Sequence, residues 1–314
     1  ASTAMPAATR LRLVELVMFR APDPRRPPVP RTRGDRGPVS RSRGQPEGQP
    51  HHFYCPFARE RNGTMTKNSV IIIPALNPDP KLVSYCQALV EAGFHKLILV
   101  NDGSADEYAS VFFELDKMQE CTVLTHAINL GKGRALKNAL NFFLSSSDCK
   151  DYCGVITADS DGQHTVEDIL KLHEELTLGK EELILGYRDF DSSNVPPKSK
   201  FGNKLTCFFF KLLHGAKLKD TQTGLRAIPT SLVNVYLDLS GERFEYETNM
   251  LIVTAMKHIP FCEIEIQTVY LNENKGTHFN PIRDSIAIYK LLFSTFIKYT
   301  IVSLSSFILD IAIF

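Results

Sequence analysis

Asp159-Ser160-Asp161 sets two carboxylates one residue apart directly after an apolar, β-branched run. In an extended segment alternate side chains share a face, so both carboxylates point to one side. Hard oxygen donors so arranged suit Mg2+ or Mn2+, ions commonly held by one or two carboxylates with phosphate oxygens and water completing the shell. The competing reading is a solvated turn that caps the helix beginning at Val166. Two further clusters bear on the choice. Asn101-Asp102-Gly103-Ser104 carries another carboxylate in a turn, and Asn129-Leu130-Gly131-Lys132-Gly133-Arg134 is a glycine-rich turn that opens a helix, where backbone N–H groups and a lysine face an anion. Taken singly, each motif is weak.

What must position these clusters is a repeating pattern of elements. Short β-branched runs at 70–73, 96–100, 122–125, 154–158 and 183–185 read as strands, and 81–92, 106–119, 133–144 and 166–178 have helical spacing. Strand and helix alternating this often predict an α/β sheet of mainly parallel order. In such sheets ligands bind at the carboxyl ends of strands. The first strand runs into Pro74-Ala75-Leu76-Asn77-Pro78, the second into Asn101 to Ser104, and the fourth into Asp159-Ser160-Asp161-Gly162-Gln163-His164, so carboxylates gather on one edge.

The order of these motifs resembles glycosyltransferase family 2 over about residues 69–289, and within it the polyprenyl-phosphate sugar transferases of the dolichol-phosphate mannose synthase and bactoprenol glucosyltransferase kind. Gly186-Tyr187-Arg188, Asp220-Thr221-Gln222-Thr223-Gly224-Leu225-Arg226 and Phe244-Glu245-Tyr246-Glu247 follow in the family's sequence. The resemblance implies a GT-A fold, a nucleotide-sugar-binding sheet flanked by helices, and a metal-dependent, inverting enzyme. It implies that Pro74, Ala75, Asn77, Asp102, Lys132, Asp159 and Arg188 bind the nucleotide sugar, with Asp102 on the base. Asp159 and Asp161 match the family's Asp-x-Asp pair, and Asp161 with Gln163 stand where a ligand set for Mg2+ or Mn2+ is expected. Arg226, Arg188 and Lys200 are candidate cations for the donor diphosphate or the acceptor phosphate, and Glu245 and Glu247 candidates to act as base or to position the acceptor. In one departure, Leu76-Asn77-Pro78 replaces the family's Tyr-Asn-Glu, so an acidic contact to the nucleoside is missing.

The implied activity is transfer of one sugar from a nucleoside diphosphate sugar to a polyprenyl phosphate, dolichyl or undecaprenyl. A lipid monophosphate is largely dianionic at neutral pH, because its second pKa is about 6, so no strong base is required. Two other readings share the motifs: transfer to a saccharide or protein acceptor, and an inactive nucleotide-sugar binder that regulates a membrane partner. The sequence 201–213 decides between acceptors. Phe201, Leu205, Phe208, Phe209 and Leu212 interspersed with Lys200, Lys204 and Lys211 have the make-up of a helix lying in a lipid interface.

Composition bounds the rest. In 314 residues with 43% hydrophobic content there is a sizeable core, and a net charge of +1 gives no ground for a nucleic-acid partner. Before Met65 every Lys or Arg is Arg, whereas Lys dominates after it, and the leading stretch is rich in Pro and Arg. Residues 1–64 are therefore expected to be disordered, as a fused or upstream non-native sequence, a targeting peptide or a basic tail; Glu15, Asp23 and Asp35 argue against the targeting peptide. Residues 65–271 form the glycosyltransferase GT-A domain and 272–296 an interfacial helix region. At 297–314 the chain reads as the start of a membrane segment that it does not complete, resembling the opening of a GtrA-like membrane domain. The enzyme is expected to be membrane-associated, its catalytic domain facing the cytoplasm. Seven irregularly spaced cysteines, with three residues between Cys149 and Cys153 and no neighbouring ligand cluster, read as reduced thiols.

Overall fold

The computed structural model describes residues 60–61, 64–65, 67–190, 197–267 and 283–313. The expectation of disorder for 1–64 falls almost wholly outside these residues, as does the first part of the interfacial region, 272–282. Within them β1 (Glu60–Arg61) and β2 (Thr64–Met65) form a short antiparallel ladder. Seven strands make the sheet: β3 (Ser69–Ala75), β4 (Leu97–Asn101), β5 (Cys121–Thr125), β6 (Gly154–Thr157), β7 (Leu183–Arg188), β8 (Arg226–Pro229) and β9 (Phe261–Ile266). Their spatial order is β5-β4-β3-β6-β8-β7-β9.

The near-continuous apolar runs of the central strands are those of a sheet covered on both faces. Along β3, Val70 and Ile72 pack into one core with α3 (Lys132–Ser145), α6 (Thr230–Leu237) and α7 (Glu245–Met256). Ile71 and Ile73 pack into the other with α1 (Lys81–Glu91), α2 (Ala109–Asp116) and α4 (Val166–Thr177). All four side chains are fully buried, at ~1.5–3 kcal/mol each. A slip of one residue would exchange the faces, so these side chains fix the register.

Within this sheet every strand except β8 runs the same way. β4 and β6 pair parallel to β3, β5 to β4, and β9 to β7, while β8 is antiparallel to both β6 and β7. The reversal matters for function. It sets Arg226, the first residue of β8, beside Thr157, the last of β6. The loop before β8 therefore arrives at the edge where the other strands end.

Two helices finish the domain. The inner face of α5 (Pro197–His214) buries Asn203, Thr206 and Phe210, while Phe201, Phe208 and Leu212 point outward at 60% exposure or more. Phe209 is not on that outward stripe, because it packs edge-on to Tyr289 and Phe293 of α8 (Arg283–Ile313). α8 is one continuous helix through the boundary expected at residue 296. It docks through buried Leu292 with Ile288, Tyr289 and Leu291, and its described side chains from Ile297 to Ile311 are exposed. Among the described residues no helix is long and apolar enough to cross a membrane. Lys298, Ser303, Ser305, Ser306 and Asp310 dilute its apolar character. Cys86, Cys121, Cys149, Cys207 and Cys262 are free, as expected, but Cys153 is disulfide-bonded.

Candidate active site

The carboxyl edge is assembled from loops that hold one another. After β3, the Asn77 N–H donates to Ser104 Oγ at 2.9 Å, and Asn77 Oδ1 accepts from the Ala105 N–H at 2.9 Å. Asn77 sits at φ +49°, a left-handed conformation that asparagine tolerates. Pro74 and Ala75 pair with Val100 and Asn101. These three predicted donor-binding residues thus build the frame joining the loops after β3 and β4.

Asp102 has a role not expected of it. Its carboxylate is buried, Oδ1 accepting from the Leu130 N–H (2.9 Å) and Oδ2 from the Gly131 N–H (2.8 Å), with His126 Nδ1 2.7 Å from Oδ1. With these three partners the carboxylate anchors the glycine-rich turn. Gly131, the residue before α3, has φ +102° and leaves no room for a Cβ, which would lie 2.4 Å from the Glu242 carbonyl oxygen.

The turn delivers Lys132 to the centre of the edge. Lys132 Nζ lies 2.7 Å from Asp159 Oδ1, just beyond β6, and 2.9 Å from Glu247 Oε2, in the first turn of α7. Burial works against the Lys132 charge, but the two carboxylates outweigh it and hold the pKa well above the usual lysine value. The reverse balance holds the Asp159 carboxyl below its ordinary range, burial being overcome by Lys132 and then His164. Burial lowers the pKa of His164, whose Nδ1 accepts the Asp159 N–H at 3.1 Å. The loop before β8 closes over the group: a Cβ on Gly224 would lie 2.5 Å from Asp159 Oδ2.

Asp161 is exposed at the turn made by Gly162 (φ +76°), its Oδ1 accepting the Gln163 N–H at 3.0 Å. Although the residue is exposed at the surface, its carboxyl is crowded enough by protein that desolvation, and then the charge of Asp159, raise its pKa, so the pair of carboxylates is under mutual repulsion. Asp159, Asp161 and Glu247 against Lys132 and Arg226 leave an excess of one negative charge. Oxygen donors with unrelieved negative charge fit a hard divalent cation such as Mg2+ or Mn2+.

The remaining candidates fall elsewhere than expected. Arg226 is 1% exposed; its Nε donates to the Thr223 carbonyl (3.1 Å) and its Nη1 to the Glu247 carbonyl (2.6 Å). The reversal of β8 draws it inside, so it ties the loop to α7 and does not present its fork to a phosphate at the surface. Arg226 Nη2 and Glu247 Oε1 are both buried without a hydrogen-bond partner. Arg188 grips buried Asp220 through Nε at 2.8 Å and Nη2 at 3.3 Å. Glu245 does not reach the centre: its Oε1 accepts the N–H groups of Glu242 (3.1 Å) and Arg243 (3.3 Å), closing the turn before α7. His126 was not singled out from sequence, and Gly224 and Asp220 entered only as members of a family motif, with no role assigned. His126 follows β5, so the rule of searching after each strand marks it, whereas the long-range partners of Gly224 and Asp220 leave no local signal.

The family described as Glycosyl transferase family 2 matches residues 70–233, just over half the chain. Among curated proteins, an uncharacterized protein of Methanocaldococcus jannaschii is 26% identical over 71% of this chain and 90% of its own length. The UDP-N-acetylglucosamine–dolichyl-phosphate N-acetylglucosaminyltransferase of Methanococcus voltae is likewise 26% identical, over 71% of this chain and 94% of its own. Among solved structures, S. aureus TarS 1-349 in complex with UDP-GlcNAc is 12% identical with a TM-score of 0.41, covering 72% of this chain and 65% of that one. GalNAc-T7 with UDP, GalNAc and Mn2+ is 13% identical with a TM-score of 0.44, and the match covers 72% of this chain and about half (48%) of that one.

Proposed function

Because this chain belongs to glycosyl transferase family 2, a nucleotide-sugar glycosyltransferase, we propose that it transfers one sugar from a nucleoside diphosphate sugar to a polyprenyl phosphate at a membrane surface. The observation that carries the reading of the site is Lys132. A partly buried ammonium at the N-terminus of α3, braced by Asp159 and Glu247, stands beside the Asp159–Asp161 pair at the carboxyl edge of the sheet. A cation at the positive end of a helix dipole suits a diphosphate.

In the proposed reaction an oxygen of the acceptor phosphate attacks the anomeric carbon. The bond from that carbon to the β-phosphate oxygen breaks, and the nucleoside diphosphate leaves with inversion. Asp161, with Asp159 and Gln163, would hold Mg2+ or Mn2+, which supplies charge neutralisation at the departing diphosphate. Lys132 stabilises the same developing charge from the protein side. Glu247 orients Lys132 through Oε2. A dianionic acceptor needs no proton removed, so the lack of a strong base in this set is no obstacle.

Two observations favour a lipid acceptor over a saccharide or protein. One is the dolichyl-phosphate transferase at 26% identity over 94% of its length. The other is α5. Its outward stripe of Phe201, Phe208 and Leu212 is exposed, while Asn203 on its inner face donates to the Lys219 carbonyl at 2.7 Å and accepts from the Thr221 N–H at 3.4 Å. One helix thus joins an apolar surface to the loop over Asp159. With exposed Ile301, Leu304 and Phe307 of α8, this face is the proposed membrane contact, on the cytoplasmic side, and the place for a GtrA-like membrane partner.

The test is incubation with undecaprenyl or dolichyl phosphate, Mg2+ and a panel of labelled UDP- and GDP-sugars. Label entering the organic phase with one donor is expected. Label that stays in the aqueous phase, on a saccharide or protein, would move the assignment to the other acceptor class.

A further inference from the structure

We infer that His126 is a positioning residue for the reaction, acting through Asp102 on the turn that carries Lys132. The inference rests on the proposed role of Lys132 at the donor diphosphate.

His126 follows β5 with its side chain 7% exposed. Nε2 lies 2.8 Å from Asn138 Nδ2 on α3, and Nδ1 lies 2.7 Å from Asp102 Oδ1. An amide nitrogen can only donate, so Nε2 accepts, and the ring proton of the neutral imidazole must sit on Nδ1, where it donates to Asp102. Asp102 in turn receives the N–H groups of Leu130 and Gly131. The chain of donors therefore runs Asn138, His126, Asp102, then the two turn amides, and the next residue is Lys132.

The turn has other supports at only some points. The His126 N–H bonds the Asn101 carbonyl at 2.9 Å. Gly103, at φ +71°, lets the backbone of Ile128 and Asn129 lie where its Cβ would be, at 2.2 and 2.4 Å. Between Asn129 and Lys132 the Asp102 carboxylate is the anchor, and a buried carboxylate holds its orientation only while its donors remain. Removing the imidazole strips one of three donors and frees the carboxylate to turn toward whatever replaces it. A misplacement on the order of 1 Å at a positioning group is enough to cost much of a rate. His126 reaches neither Asp159 nor Glu247, so its effect on catalysis passes through the turn.

The experiment compares His126→Leu, which keeps the volume and loses the donor, with His126→Asn, whose Nδ2 returns a donor near the Nδ1 position. Amide hydrogen exchange over 127–134 is measured in the unliganded full chain, and UDP and GDP affinity by calorimetry with Mg2+. His126→Leu is expected to speed exchange at Leu130 and Gly131 about tenfold or more and to weaken nucleotide binding about tenfold, the low end for loss of a hydrogen bond to a charged group. His126→Asn should recover most of both. Unchanged exchange overturns the inference. So does faster exchange with wild-type nucleotide affinity, which marks His126 as merely structural. If His126→Leu does not fold, Asn138→Leu, which removes the group fixing the tautomer, reads out the same two quantities. If the wild-type chain binds neither UDP nor GDP, the proposed function fails, while the exchange comparison still decides whether His126 holds the turn.

Discussion

Gly224→Ala isolates the contact between the loop before β8 and the Asp-x-Asp carboxylate. The added methyl would stand 2.5 Å from Asp159 Oδ2 and 2.7 Å from Oδ1, whereas non-bonded atoms settle at about 3.5 Å. Something must yield by about 1 Å, and the short Asp159 side chain, 29% exposed, is freer than the backbone around it. A shift of that size takes Asp159 Oδ1 from 2.7 Å to a separation from Lys132 Nζ at which a hydrogen bond no longer holds. Loss of a charge-assisted bond is worth ~1.5–3 kcal/mol, or about a 10- to 100-fold fall in turnover. The fold should survive, because alanine at a backbone suited to it restricts the unfolded chain and offsets part of the strain by ~0.4–1 kcal/mol. The assay pairs a thermal melt with label transfer at saturating donor and acceptor. Turnover above half of wild type would refute the reasoning, since it would mean that Asp159 need not stand where Gly224 and Lys132 hold it.

Asp161→Asn should lower turnover by orders of magnitude with an unchanged melting temperature, and chelation should do the same to the unmutated protein; near-normal activity across Mg2+ and Mn2+ titrations would remove Asp161 from the ligand set. Phe208→Glu should release the protein from anionic vesicles in a flotation assay and raise the acceptor requirement without altering nucleotide affinity, because a carboxylate on the exposed stripe of α5 opposes insertion. Stability should also depend on one buried histidine. His173, 2.7 Å from Ser69 Oγ, has its pKa lowered by burial, and then by Lys67, from 6.5 to about 4. A depressed pKa gives stability that is complete above about pH 6.5 and is lost as pH falls toward 4, up to about 3 kcal/mol. His173→Gln should flatten the melting temperature over that window; an equally steep profile would place the effect elsewhere.

Much of this architecture could be read from residues alone, for identifiable reasons. β3, β4, β6 and β7 are buried on both faces, so each is a dense apolar run, and the helices between them keep a helical period. The donors after each strand were likewise visible, because they follow runs that are easy to see. β8 was not. Its four residues, Arg-Ala-Ile-Pro, begin with a charge and end with a proline, and nothing local reveals that the strand is reversed. That reversal is why Arg226 lies buried against Glu247 and not at the phosphate, and why Gly224 meets Asp159. The brace on Arg188 was hidden for a related reason: its partner, Asp220, is 32 residues away. Asp102 illustrates a third limit. A carboxylate in an Asn-Asp-Gly-Ser turn looks like a ligand contact, and only the docking of the turn shows that it also holds the Leu130 and Gly131 N–H groups.

The central claim is that the sugar ends on a lipid phosphate, and the chemical form of the product tests it most directly. With undecaprenyl or dolichyl phosphate as acceptor and the nucleotide sugar that supports transfer, the organic-phase product is examined by 31P NMR and mass spectrometry. The account predicts that the acceptor monoester resonance is converted to a single phosphodiester, with the lipid mass raised by one sugar residue and release of one nucleoside diphosphate per transfer. A phosphate that remains a monoester while sugar appears on a saccharide or protein hydroxyl would contradict it.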